Sequence, residues 1–220
     1  MPLELRIRRG PRALCGVLAA LWVVGCGGDD AASAGGGGQN GGGGGGGSSS
    51  CGLAALGDPT QPIELQVTAR GADLVSEEIG EGAQVPMILP PQGGRVMFIG
   101  ARATNIEPCA VEISGTLRDL SNGEVRVDGR KMNLKATGDG WGTSTDTDIS
   151  TFAMIPTCPN QWAATDVFGT TFELELTLTA KNGQKASKKM SIVPVCGEPA
   201  NEAECKCQCT KGYTLGKTCN

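Results

Sequence analysis

From Ile63 onward, apolar residues recur at every second position. Ile63, Leu65 and Val67 alternate with polar neighbours. Val111, Ile113 and Leu117 do so in CAVEISGTLRDL, and Phe172, Leu174, Leu176 and Leu178 give the clearest run, TFELELTLTA. A period of two with one polar face is what an antiparallel strand needs when it covers a core on one side. No segment shows an apolar stripe of period 3.6. Two Asn-Gly pairs, Asn122-Gly123 and Asn182-Gly183, fall between such runs. They predict tight type I′ hairpins, whose central residues take positive φ. About eight runs can be counted, at the spacing of a β-sandwich, so the expected fold is an all-β antiparallel sandwich over residues 58–195. Aromatic residues make up only 4% of the chain, which leaves Val, Ile, Leu and Met to build the core. Trp141 and Trp162 fall in loop-like sequence.

The front of the chain follows another pattern. Arg6, Arg8, Arg9 and Arg12 precede an almost wholly apolar stretch, Ala13 to Val24. Charge, then a short apolar core, is the organisation of a secretory signal peptide, here residues 1–25. Twelve residues fall short of the roughly twenty that span a bilayer as a helix. Gly10 and Pro11 after Arg8-Arg9 fit ordinary n-region charge better than a twin-arginine signal. Val23-Val24-Gly25-Cys26 then resembles the bacterial lipobox. That resemblance implies a diacylglyceryl thioether on Cys26, cleavage before it and acylation of the new amine, so that the bilayer itself becomes a partner. Two or more acyl chains anchor stably where one does so marginally. Gly27, where an Asp would favour inner-membrane retention, points to the outer membrane.

Residues 27–50 contain no large apolar side chain. Such a segment has nothing to bury against the entropy of ordering, and a Gly/Ser chain of this length has an end-to-end distance of roughly 25–30 Å. Residues 26–57 are therefore expected to be a lipidated cysteine and its tether. A phosphate-cradling loop is excluded, because no GK[ST] follows the glycines. A formal net charge of −4 supplies no footprint for nucleic acid. The basic cluster Lys181, Lys185, Lys188 and Lys189 sits at a hairpin and reads as a solvated face.

Of ten cysteines, Cys15 leaves with the signal and Cys26 is lipidated. Cys51, Cys109, Cys158, Cys196, Cys205, Cys207, Cys209 and Cys219 remain, an even number in an exported chain and so up to four disulfides. Zinc held by Cys205, Cys207 and Cys209 is disfavoured, since C-x-C-x-C is not a zinc spacing and the chain has no histidine. Cys109 and Cys158 each abut a strand-like run, which suggests that they pair. In the tail, residues 196–220, Cys207-x-Cys209-x-x-Gly212-Tyr213 with Cys219 beyond is similar to the closing half of an epidermal growth factor-like module. The resemblance implies a Cys209–Cys219 bridge. The calcium-binding front half of such a module is missing.

The segment VFGTTFELELTLTAKNGQKASKKMSIVPV resembles the last hairpin of an immunoglobulin-like or PKD-like extracellular module, which makes the expected sandwich immunoglobulin-like. Upstream, LPPQGGRVMFIGARATNI resembles a stretch of uncharacterised myxobacterial lipoproteins. Its Gln92-Gly93-Gly94 reads as a tight turn before a strand.

Without histidine, Ser-His-Asp and H-E-x-x-H chemistry is impossible. Ser187-Lys188-Lys189 lies on an exposed strand with no supporting context. Paired carboxylates can hydrolyse glycosides, but the acidic residues here mostly fill strand faces and turns. Asp139, Asp146 and Asp148 in GDGWGTSTDTD are the candidate calcium ligands. Their spacing matches no EF-hand, and neither metal nor cofactor is expected. The resulting expectation is a non-enzymatic envelope lipoprotein that binds or scaffolds a protein or glycan. A carbohydrate-active enzyme and a purely structural surface protein are the alternatives.

Overall fold

The alternating runs pair as their apolar faces require. In the computed structural model, which describes residues 51–219, they form an antiparallel β-sandwich of two sheets. Residues 1–50 lie outside the described residues, and with them the expected signal peptide, the expected lipobox with Cys26 and most of the expected glycine tether.

The strands are β1 (Glu64–Arg70), β2 (Ser76–Glu78), β3 (Ala83–Met87), β4 (Arg95–Thr104), β5 (Val111–Arg118), β6 (Val125–Met132), β7 (Lys135–Ala136), β8 (Gly142–Thr143), β9 (Ala153–Cys158), β10 (Phe172–Thr179) and β11 (Lys185–Cys196). Eight of them have five or more residues; β2, β7 and β8 are short additions. One sheet runs β2-β1-β4-β8-β7, with β9 beside the other half of β4. The second runs β3-β11-β10-β5-β6. The chain changes sheet five times, before and after β3, between β4 and β5, between β6 and β7 and between β9 and β10, and β3 joins β11 in parallel. This Greek-key arrangement is immunoglobulin-like.

The period-two residues face inward. Val67, Ile99, Val111, Ile113, Leu117, Ile155, Phe172, Leu174, Leu176 and Leu178 are all buried in one core. Trp162 packs on Phe172 at 5.5 Å, and its indole N–H donates to the Thr157 carbonyl at 2.9 Å. A smaller cluster lies on the opposite face of the first sheet. There Phe98 and Phe152 meet edge-to-face at 6.3 Å, over Gly100. A Cβ at Gly100 would stand 2.8 Å from the Phe152 ring and 2.6 Å from the Thr68 hydroxyl.

Both hairpins differ from the expected type I′. Gly183 and Gly123 have positive φ, but the preceding asparagines do not. At β10–β11, Gly183 N–H donates to Ala180 C=O and Ala180 N–H to Gln184 C=O. This is a type I turn closed by a left-handed glycine. Asn182 and Asn122 instead accept, through their side chains, from the N–H two residues on, so the asparagine serves as a side-chain acceptor and only the glycine takes positive φ.

All eight cysteines expected to bond do so, but neither expected pairing occurs. The bridges are Cys51–Cys109, Cys158–Cys209, Cys196–Cys205 and Cys207–Cys219. Cys158 lies opposite Arg95, at the start of β4, whereas Cys109 lies beyond its end. A ten-residue strand, about 30 Å of chain, keeps Cys109 and Cys158 apart. In the tail, C-x-C-x-C is folded into a helix, α1 (Glu202–Cys209), an element that no apolar stripe announces. At spacing i, i+4, Cys205 and Cys209 share the buried face and reach Cys196 and Cys158. Cys207, two residues from each, points elsewhere and takes Cys219, which is why Cys209 is not its partner. Arg95, 1% exposed, completes the attachment with ion pairs to Glu198 (2.8 Å) and Glu204 (3.5 Å). The folded domain also extends back to at least Cys51 rather than starting at residue 58. Cys51 is bridged to Cys109, and Leu56 exchanges both backbone hydrogen bonds with Ile106.

Candidate functional site

At the end of the sandwich where β4 finishes and β5 begins, the strands leave the core uncapped. Residues 53–56 are laid across this opening, held by the Cys51–Cys109 bridge on one side and the Leu56–Ile106 pair on the other. Between them, the end of β6, strand β7 and the 3-10 turn Ile149–Thr151 lies a groove of about 850 Å³. That lies within the usual range for small-molecule and peptide clefts, about 300–1,000 Å³. Leu53, Leu56, Pro108, Met132, Leu134 and Trp141 give it an apolar lining; Lys131, Asn133, Lys135, Asp148 and Ser150 supply polar groups.

Trp141 sits in the turn between β7 and β8 and is fixed from behind. The Arg102 guanidinium lies 4.4 Å from the indole centroid, a cation–π contact. Arg102 in turn donates to Gln66 and Asp139, both at 2.6 Å. The indole is therefore a positioned side chain rather than a free one. Ala110, which has a positive φ of 53°, is steadied by its N–H donating to Asn133 Oδ1 at 2.8 Å.

The three candidate calcium ligands are used one by one to build loops. Asp139 accepts from the Thr137 hydroxyl and the Trp141 N–H and pairs with Arg102. The Thr137 hydroxyl, against the opposing effect of burial and with help from the Trp141 N–H and Arg102, holds its carboxyl below the usual range. Asp148 caps the 3-10 turn by accepting from the Ser150 N–H at 3.0 Å and hydroxyl at 2.6 Å, and those bonds lower its pKa, the hydroxyl first. Asp146 accepts from the Ser76 hydroxyl, while its backbone carbonyl takes Arg70 Nε at 2.9 Å. No group of three or more potential ligands that could hold a metal ion occurs among the described residues.

Sequence reasoning singled out the aspartates of GDGWGTSTDTD and missed the tryptophan among them, which lines the groove. Leu53 and Leu56 were passed over as tether, although they are the first large apolar residues after the glycines. Lys131, Asn133, Leu134 and Lys135 carry no motif and meet only through topology.

Fold and site together define a class: an immunoglobulin-like β-sandwich with a disulfide-tied C-terminal helix and an apolar groove at one end. No family model matches the chain, and no curated protein is significantly similar to it.

Proposed function

We propose that this protein is a non-enzymatic, exported bacterial lipoprotein, anchored through acylated Cys26 and held off the outer membrane by its glycine tether. Its β-sandwich binds a partner in the groove. The observation that carries the binding role is the groove itself: an apolar lining of about 850 Å³ with a tryptophan held in place by Arg102. The alternative of a glycoside-cleaving enzyme needs two carboxylates flanking the scissile bond. Among the described lining residues Asp148 is the one carboxylate, and the hydrogen bonds that favour its ionised form suit loop capping rather than proton donation.

Two measurements test this reading. Intact mass of the protein extracted from its native membrane should show a chain that starts at Cys26 and carries acyl groups, with eight thiols alkylated only after reduction. An unacylated mass would remove the anchor. For the binding role, peptide and glycan arrays should capture the wild-type chain and fail to capture Ala54→Trp, which fills the groove from an exposed position. Equal capture of both would place binding elsewhere.

A further inference from the structure

We propose that the groove takes an extended peptide segment of a partner protein, one that alternates aliphatic side chains with carboxylates. This rests on the groove being a binding site, as argued above, and adds the chemistry of its occupant.

Backbone geometry makes the first selection. Among the described residues, strand β7 is the end of its sheet and pairs only with β8, Lys135 opposite Thr143 and Ala136 opposite Gly142. Thr137 N–H donates to Trp141 C=O at 2.9 Å. Bonded and non-bonded pairs alternate along an antiparallel ladder, so Lys135 is hydrogen-bonded to β8 and Ala136 is not. The N–H and C=O of Ala136 therefore point away from β8, along the free edge, and Ala136 lines the groove. No described residue partners either group. An N–H and C=O spaced as on a strand are what a peptide backbone pairs with when it adds to a sheet edge. An aliphatic lipid chain has no complement to them.

Side chains make the second selection. An extended ligand presents alternate side chains to one face, and exposed Leu53 with half-buried Trp141 offers that face apolar surface, the buried Leu56, Met132 and Leu134 forming the wall behind. Charge makes the third. Lys131 and Lys135 are both exposed at the groove and stand in no ion pair among the described residues, where Lys189 and Lys206 hold the lysine bridges. Asp148, the one carboxylate among the described lining residues, is already engaged by Ser150. A chain of net charge −4 thus places two cations outside any ion pair beside an apolar groove, Lys131 with Glu112 opposite it on β5 and Lys135 opposite Thr143, which complements an acidic segment and steers it in.

The test is fluorescence anisotropy of the full chain with a fluorescein-labelled peptide alternating valine and glutamate, at low salt. Saturable binding is expected. Lys131→Glu with Lys135→Glu should weaken it at least about tenfold, and so should Ala136→Pro, which deletes the edge N–H at a position where an edge strand tolerates proline. N-methylation of alternate peptide nitrogens should weaken it similarly, and a valine–lysine peptide should not bind. Equal binding of the N-methylated or the lysine peptide would overturn the proposal, as would absence of binding by the glutamate peptide. Laurate or a cello-oligosaccharide bound in a manner blocked by Ala54→Trp, with no peptide binding, would overturn the peptide assignment while leaving the groove a binding site. Peptide binding untouched by Ala54→Trp would refute the groove itself.

Discussion

Arg95 offers the sharpest test of whether the cysteine-rich tail belongs to the fold. Its guanidinium is buried at the start of β4, donates to Glu198 Oε2 at 2.8 Å, and lies 3.4 Å from the Asn201 carbonyl and 3.5 Å from Glu204. Its Nε has no partner among the described residues. Glu198 also accepts from the Leu89 N–H at 2.7 Å, so one carboxylate joins β4, the β3–β4 connection and the tail. Arg95→Ala removes the cation and leaves a cavity. Breaking a buried pair by deleting one partner costs about 3–5 kcal/mol. Here Glu198 and Glu204 keep 24% and 41% of their side-chain surface exposed and can rehydrate, which places the expected loss near 3 kcal/mol. For a domain of this size that is a fall in Tm of about 6–12 °C. Arg95→Met keeps most of the volume but breaks the same ion pairs, so it should lose less than Arg95→Ala only by the cavity it spares. The assay is urea unfolding under non-reducing conditions, followed by far-UV circular dichroism, with Glu198→Ala as the second leg of a double-mutant cycle. A loss below about 1 kcal/mol for Arg95→Ala, or a coupling energy near zero, would refute the claim that this cluster fastens the tail.

Gly100→Ala forces a methyl against the Phe152 ring and the Thr68 hydroxyl and should cost about 1–3 kcal/mol by overpacking, read as a lowered urea midpoint at unchanged m-value. Phe152→Ala should cost about 3–5 kcal/mol by emptying the same cluster, and the double variant should lose less than the sum. Asp119 should govern part of the acid unfolding. Burial raises its pKa, but bonds from the Ser121 hydroxyl and the N–H groups of Ala164, Ser121 and Asn122 outweigh that and lower it overall. A depressed carboxylate contributes stability that is complete above its unfolded pKa, about 3.9, and is lost as pH falls through the folded value. Thermal melts between pH 7 and 2 should therefore show a decline confined to acid pH, with a shallower slope in Asp119→Asn; an unchanged slope counts against the assignment.

The fold was largely legible because its signal is local. Alternation in TFELELTLTA is decided by each residue's neighbours two positions away, and Leu174 and Leu176 are buried in the core without any knowledge of β5 or β11. The hairpins were legible in place but not in type: Asn-Gly predicts a turn, and whether asparagine takes positive φ or bonds with its side chain depends on the closing pair, Ala180 with Gln184. The disulfides were legible as a number only. Pairing depends on which strand ends meet, and the fact that separates Cys109 from Cys158 is the antiparallel register of β4 with β9.

The helix and the groove escaped for one shared reason. In both, residues without apolar character of their own acquire a buried or functional role from a distant partner. EAECKCQC has no hydrophobic stripe until Cys205 and Cys209 are joined to Cys196 and Cys158; the cross-links are what make that face an inside. Lys135, in the same way, is an ordinary exposed lysine until β7 becomes a sheet edge beside Leu56. A composition-based boundary at residue 58 cut the groove in two, assigning Leu53 and Leu56 to the tether and Leu134 and Trp141 to the domain. The pattern that would have joined them is the pair Cys51 and Cys109. A disulfide-forming cysteine at the foot of a glycine run finds its partner in the folded body, as Cys51 does in Cys109. Whatever surrounds that partner, here Pro108 and Ala110 on the groove wall, is then brought against the first apolar residues after the glycines.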